Sequence, residues 1–231
     1  TVVISWATLF IGLPYLANRV ADLLPNDLLN EASESTLDTL DYMVFEPSEL
    51  SRNRQSEIVS MINNTLPKNE NYSFKILFRK GESLGANAFA LPDGSIVFTD
   101  ELIDLLKKDE EIFAIFAHEL GHVVERHSLK QLLQSTSVAI ISYLILGEVT
   151  EGLMEALNAL PAMLMNSSYS CEFESEADNY AINLLKQLQI SPEHLGNALA
   201  SLSHYHSEEE GIKYLQTHPP TKERILKTQN P

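Results

Sequence analysis

The chain has 231 residues, 44% of them hydrophobic, which is enough to bury a full core in one domain of ordinary size. Its 16 basic residues stand against 32 acidic ones, and the net charge of −16 argues against nucleic acid and against an anionic lipid surface as partners. A single cysteine excludes an intrachain disulfide.

In chain order, residues 1–18 carry no charge and include Val2, Val3, Ile4, Trp6, Leu9, Phe10, Ile11, Leu13, Tyr15 and Leu16. That length approaches a membrane span, although Ser5, Thr8, Gly12 and Pro14 weaken it. The segment reads as the tail of a transmembrane anchor, an amphipathic helix at its exit, or a helix packed on the core. Between residues 19 and 51 the only Lys or Arg is Arg19, which suits the side of a membrane away from the cytoplasm. We therefore expect an N-terminal apolar extension over 1–35 and one domain over 36–231, with no linker or repeat between them.

Helical periodicity covers 17–31 and 48–65. Strand patterns follow at 73–78, 86–91 and 95–99, the last two joined by the turn residues Pro92, Asp93 and Gly94. Helical patterns return at 100–107, 109–134, 137–146, 150–166, 168–188, 192–205 and 219–228. The apolar stretch 138–146 is too short to span a membrane and reads as buried helix or membrane-facing surface. The fold class expected is mostly helical α+β, with a small antiparallel sheet over the helix of 109–134.

That helix carries the chemistry. Asp109, Glu110 and Glu111 suit a helix N-terminus, and the apolar run that follows leads into His118, Glu119, Leu120, Gly121 and His122. Residues four apart lie one above the other, so His118 and His122 can share one cation while Glu119 leans over its open side. Beyond them Val123, Val124, Leu129, Leu132 and Leu133 alternate with Glu125, Arg126, Lys130 and Gln131, as on a long, half-buried helix. Histidines and a carboxylate near an apolar stripe are costly to bury without a partner, and a metal supplies one.

A catalytic zinc ion takes three protein ligands and leaves a position for water. A third histidine six residues after His122 is ruled out because Ser128 stands there; His127 falls one place short. A downstream helix offers Glu174 and Asp178, four apart on one face, with small Ala177 and Ala181 for close packing, while Glu176 points elsewhere. Glu174 could bind the ion and Asp178 could accept a hydrogen bond from the far nitrogen of a ligating imidazole. A solvated acidic face formed by Glu172, Glu174, Glu176 and Asp178 is the competing reading, and spacing alone leaves both open. Cys171, three residues before Glu174, reads as a soft ligand or as a small buried hydrophobe. His194, His204 and His206 read as surface residues.

Taken together, His118 to His122 and the later Glu174, Ala177 and Asp178 resemble the M48 family of zinc metallopeptidases. The hairpin of 87–99 and the C-terminal Thr217, His218, Pro219 and Pro220 with Arg224 and Ile225 are also similar to family elements, so the likeness runs from about residue 73 to 228. Within the family the chain looks most like bacterial envelope members, in which an apolar segment precedes the peptidase domain and a Leu- and Pro-rich stretch leads into a Tyr-Ser pair, here Tyr169 and Ser170. A basic residue often follows that pair, whereas this chain has Cys171.

The resemblance implies a zincin-like fold and one zinc ion held by His118, His122 and Glu174, with Asp178 and Arg224 supporting them. Glu119 would act as general base toward water and then return the proton to the leaving amine. His218 would be a donor to the developing oxyanion, or a gate that reaches the metal when substrate is absent. Asn87, Ala88, Phe89 and Ala90 would form an exposed sheet edge that holds extended polypeptide through backbone hydrogen bonds. The expected activity is endopeptidase cleavage of unfolded or misfolded envelope proteins by a membrane-anchored enzyme with its catalytic domain in the periplasm. The alternative is an inactive, chaperone-like binder that uses the same groove, for which an intact Glu119 would have no purpose.

Overall fold

A computed structural model describes residues 12–67, 73–136, 150–166, 169–208, 218 and 222–229. It opens with two helices, α1 (Leu13–Leu23) and α2 (Asn26–Met43), where the periodicity suggests one over 17–31. The break is Pro25. Its ring disfavours helical backbone in the preceding residue, and Leu24 accordingly turns extended at φ −63°, ψ 133°. α2 then runs unbroken past residue 35, where the extension was expected to end. Residues 1–11 and the apolar stretch 138–146 lie outside the described residues, and no helix among those described is long and apolar enough to cross a membrane.

The middle of the chain supplies β1 (Glu46–Pro47), α3 (Arg52–Thr65), β2 (Lys75–Lys80), β3 (Ala88–Ala90) and β4 (Ser95–Thr99). The strands form one sheet in the order β1-β2-β4-β3. A purely antiparallel sheet was expected, but β2 runs parallel to β4, Lys75 opposite Ser95 and Arg79 opposite Thr99. The physical reason is the path of the chain. It passes from β2 to the far edge before returning through the turn at Pro92–Gly94, which leaves β4 between its two neighbours. Gly94 sits at φ +91°, and a Cβ there would stand 2.4 Å from the Ser73 carbonyl oxygen, so glycine is required.

Both faces of this sheet are covered. Ala88, Ala90, Ile96 and Phe98 point into the main core. Alternate residues Phe89, Leu91 and Val97 meet Leu40 and Phe45 at the end of α2 and just beyond it. Burial on both faces explains why β4 reads as a nearly continuous apolar run rather than an alternating one.

The remaining elements are α4 (Asp100–Leu105), α5 (Asp109–Val124), α6 (His127–Ser135), α7 (Glu151–Asn158), α8 (Leu160–Asn166), α9 (Cys171–Gln187), α10 (Glu193–Glu208) and α11 (Lys222–Gln229). The molecule is thus mostly helical α+β, with α5 at its centre. Every residue from Glu111 to His122 is buried, so this helix is enclosed rather than half-buried. The single helix expected over 109–134 is two. Arg126, in left-handed backbone at φ +55°, turns the chain between α5 and α6 and donates from its guanidinium to Ala21 O on α1 at 2.8 Å.

Candidate metal centre

The site is built where α5 meets α9. Gly121 allows the approach: a Cβ on it would lie 3.0 Å from Ala177 Cα and 3.1 Å from Tyr180 Cβ. Ala177 and Ala181, one turn apart on α9, are fully buried. This small-residue seam brings the carboxylates of α9 up to the imidazoles of α5. His118 Nε2 and His122 Nε2 stand 3.1 Å apart, and Glu174 lies 3.6 Å from the first through Oε2 and 3.5 Å from the second through Oε1. His218 closes the group, its Nδ1 3.4 Å from His118 Nε2 and 2.8 Å from Glu174 Oε1.

Arg224, from α11, grips both acids of α9. It reaches Glu174 Oε2 at 2.7 Å and makes a two-pronged bond to Asp178 at 2.7 and 2.9 Å. Asp178 Oδ1 in turn lies 3.1 Å from His118 Nδ1, the imidazole nitrogen turned away from the cluster. Burial alone would push the Asp178 carboxyl up, but the hydrogen bonds from Arg224 and His118 outweigh it and hold the pKa at about 2. Burial acts upward on Glu174 as well. The charge of His218 and hydrogen bonds from His122 and His218 bring it well below the usual carboxylate range.

Glu119 has a different environment. Burial raises its pKa, opposed by the nearby His218 and His118. It is fully buried, and neither carboxylate oxygen has a hydrogen-bond partner among the described residues; His218 Nε2 lies 3.9 Å from its Oε1. A buried carboxylate with no hydrogen bond from the described residues, beside a donor cluster, is positioned to accept a proton from a guest molecule. Burial also lowers His122 well below the ordinary imidazole value, which favours the neutral form that can ligate a metal.

The donor atoms of His118, His122, Glu174 and His218 all lie within 4.8 Å of one another. Nitrogen and oxygen donors bound at about 2.0–2.2 Å to one tetrahedral ion stand roughly 3.3–3.6 Å apart, close to the spacings observed. The four side chains are buried, uniformly N/O in character, and free of thiolate; Cys171 is exposed and lies outside the group, contrary to both readings of it as ligand or buried hydrophobe. The residues fit a metal ion.

The model of peptidase family M48 matches residues 49–231, most of the chain and all of this centre. The chain belongs to peptidase family M48. Relatives in the family include metalloprotease LoiP of Escherichia coli, 32% identical over 141 residues that cover 60% of this chain and 55% of that protein. Metalloprotease YcaL of the same organism is 31% identical over 143 residues, covering 60% and 55%. The mitochondrial metalloendopeptidase OMA1 of Arabidopsis thaliana is 30% identical over 138 residues, 60% of this chain but 28% of its own. The chain thus spans about half the length of the bacterial relatives and about a quarter of the plant one.

Within this M48 domain, His118, Glu119, His122, Glu174, Asp178, His218 and Arg224 come together. The segment Asn87–Ala90 does not match its expectation. β3 is an edge strand, but its residues are 0–8% exposed, because the layer around α2 covers one side and Ser128 donates to the Ala90 carbonyl at 3.2 Å. Tyr169 was noted only as half of a Tyr-Ser pair. Its ring stacks on His122 with centroids 4.2 Å apart, and its hydroxyl pairs with Ser128 at 2.7 Å, so it links the sheet edge to the cluster. Glu176 points away from the face of Glu174 and Asp178, as helical spacing suggested, and meets His127 there. His204 is exposed as expected, whereas Thr217, Pro219 and Pro220 lie outside the described residues.

Proposed function

We propose that the chain is a zinc-dependent endopeptidase in which His118, His122 and Glu174 hold one zinc ion and Glu119 is the general base. The observation that carries this reading is the fully buried Glu119 carboxylate, without a hydrogen bond from the described residues, beside a buried cluster of N and O donors. Zinc, when bound, supplies a Lewis acid that acidifies water and polarises a scissile carbonyl. Glu119 takes the proton of the attacking water, helped by the burial that raises its basicity, and passes it to the departing amine. Asp178 and Arg224 fix His118 and Glu174 so that they need not reorganise during the reaction.

His218 has a part of its own in this reading. Its Nδ1 lies among the donors, where it would occupy the place that a metal-bound water requires, and its withdrawal would open the site. Once displaced, its imidazole is a donor toward the oxyanion. Substrate is extended or unfolded polypeptide. The uncharged N-terminal stretch and the scarcity of Lys and Arg before Arg52 support a place in the bacterial envelope, anchored in the membrane with the catalytic domain outside the cytoplasm.

Glu119→Gln tests the assignment. The variant should bind zinc and melt as the parent does while losing cleavage of unfolded casein by at least about 100-fold. Cleavage at the parental rate would falsify the role of Glu119, and parental protein that binds no zinc would end the reading altogether.

A further inference from the structure

Two side chains beside the cluster have no part in the chemistry above. His127, fully buried at the start of α6, places its Nδ1 2.9 Å from His122 Nδ1 and its Nε2 2.9 Å from Glu176 Oε2. Its ring is clamped against Phe173, centroids 4.4 Å apart and planes 17° from parallel. We infer that His127 and Glu176 are positioning residues that orient His122 as a metal ligand through a two-step hydrogen-bonded chain.

The direction of the chain follows from proton counting. Two facing Nδ1 atoms can share one proton. An imidazole that turns Nε2 to a metal carries its proton on Nδ1, so His122 donates and His127 accepts. His127 then carries its own proton on Nε2 and donates it to Glu176, whose side chain is 45% exposed and therefore keeps its carboxylate hydrated. The reverse order would place a proton on His122 Nε2, where the cluster needs a lone pair. Each α5 imidazole thus has a separate orienting partner: Asp178 for His118, and an imidazole with a carboxylate behind it for His122.

Local backbone geometry makes this possible. On a continuous helix, His127 would lie five positions beyond His122 and around the axis from it. The left-handed turn at Arg126 restarts the helix and swings His127 back over His122, where Glu176, on a different face of α9 from Glu174, can reach it.

The inference rests on the zinc reading, so the test measures metal binding rather than turnover. Zinc affinity is measured by competition with a chelator, and cobalt substitution reports the ligand field in the visible spectrum. His127→Phe keeps the ring stack and should weaken zinc roughly 10- to 100-fold and shift the cobalt bands, with the metal-free melting temperature little changed. His127→Gln can accept through its amide oxygen and donate through its amide nitrogen, and should recover most of the loss. Glu176→Ala, at a partly exposed position where folding is not at stake, should give a smaller loss in the same direction. Parental affinity in both His127→Phe and Glu176→Ala, or equal losses in His127→Phe and His127→Gln, would overturn the inference while leaving the zinc reading intact. Should His127→Phe not fold, parental affinity in Glu176→Ala overturns it alone. Parental protein without zinc would remove both.

Discussion

One guanidinium holds the acidic half of the site. Arg224 neutralises two buried carboxylates, and removing it strands both. Arg224→Ala should therefore cost about 3–5 kcal/mol of stability in a denaturant titration, and Arg224→Lys should recover only part, since an ammonium cannot match the two-pronged geometry. Acid exposes the same contact. The Asp178 carboxyl falls from an ordinary 3.8 to about 2 in the fold, so its contribution is complete above pH 4 and is lost as pH drops through 2. In metal-free protein this amounts to about 2 kcal/mol, and Asp178→Asn should flatten that limb of the stability profile. At this scale the sequence was readable where chemistry is local. His118, Glu119 and His122 announce themselves by helical spacing, and Glu174 and Asp178 share a face. Arg224 and His218 are far from them in the chain and could be attached only through likeness to a family.

Among the elements, the contact of α5 with α9 decides the geometry, and a hydrogen atom decides the contact. Gly121 has backbone of Ala177 within 3.1 Å of where a Cβ would stand, so Gly121→Val must force the helices apart. We expect a loss of about 1–3 kcal/mol by thermal melting, together with weaker metal binding, because the donors sit on opposite sides of that seam. The small residues Ala177 and Ala181 made this seam visible in advance. The break between α5 and α6 was not visible, because it falls at Arg126, an ordinary side chain in a backbone region usually marked by glycine or asparagine. Missing that turn meant missing His127 and Glu176, both of which depend on it.

For the whole molecule, the sheet and its two covering layers form a core that makes no use of the metal. If the proposed zinc ion is held at the cluster, stripping it with a chelator should leave the far-ultraviolet circular dichroism nearly unchanged and lower the melting temperature by roughly 5–10 °C, the effect of a ligand held about 100-fold above its dissociation constant. Collapse of the helical signal on chelation would show that the ion is structural instead. The parallel pairing of β2 with β4 was the least legible part of the fold. Strand periodicity reveals which residues extend, but partner choice depends on chain path, and β3 is set outside β4 by contacts distant in sequence. Burial of β3 was equally hidden, since its cover comes from Leu40 and Phe45, in a stretch where periodicity suggests no helix.

The grip of Arg126 on the Ala21 carbonyl connects these scales. The residue that redirects the chain toward His122 is itself fastened to the first described helix. The first helix is thereby joined by one hydrogen bond to the very turn that separates His122 from His127.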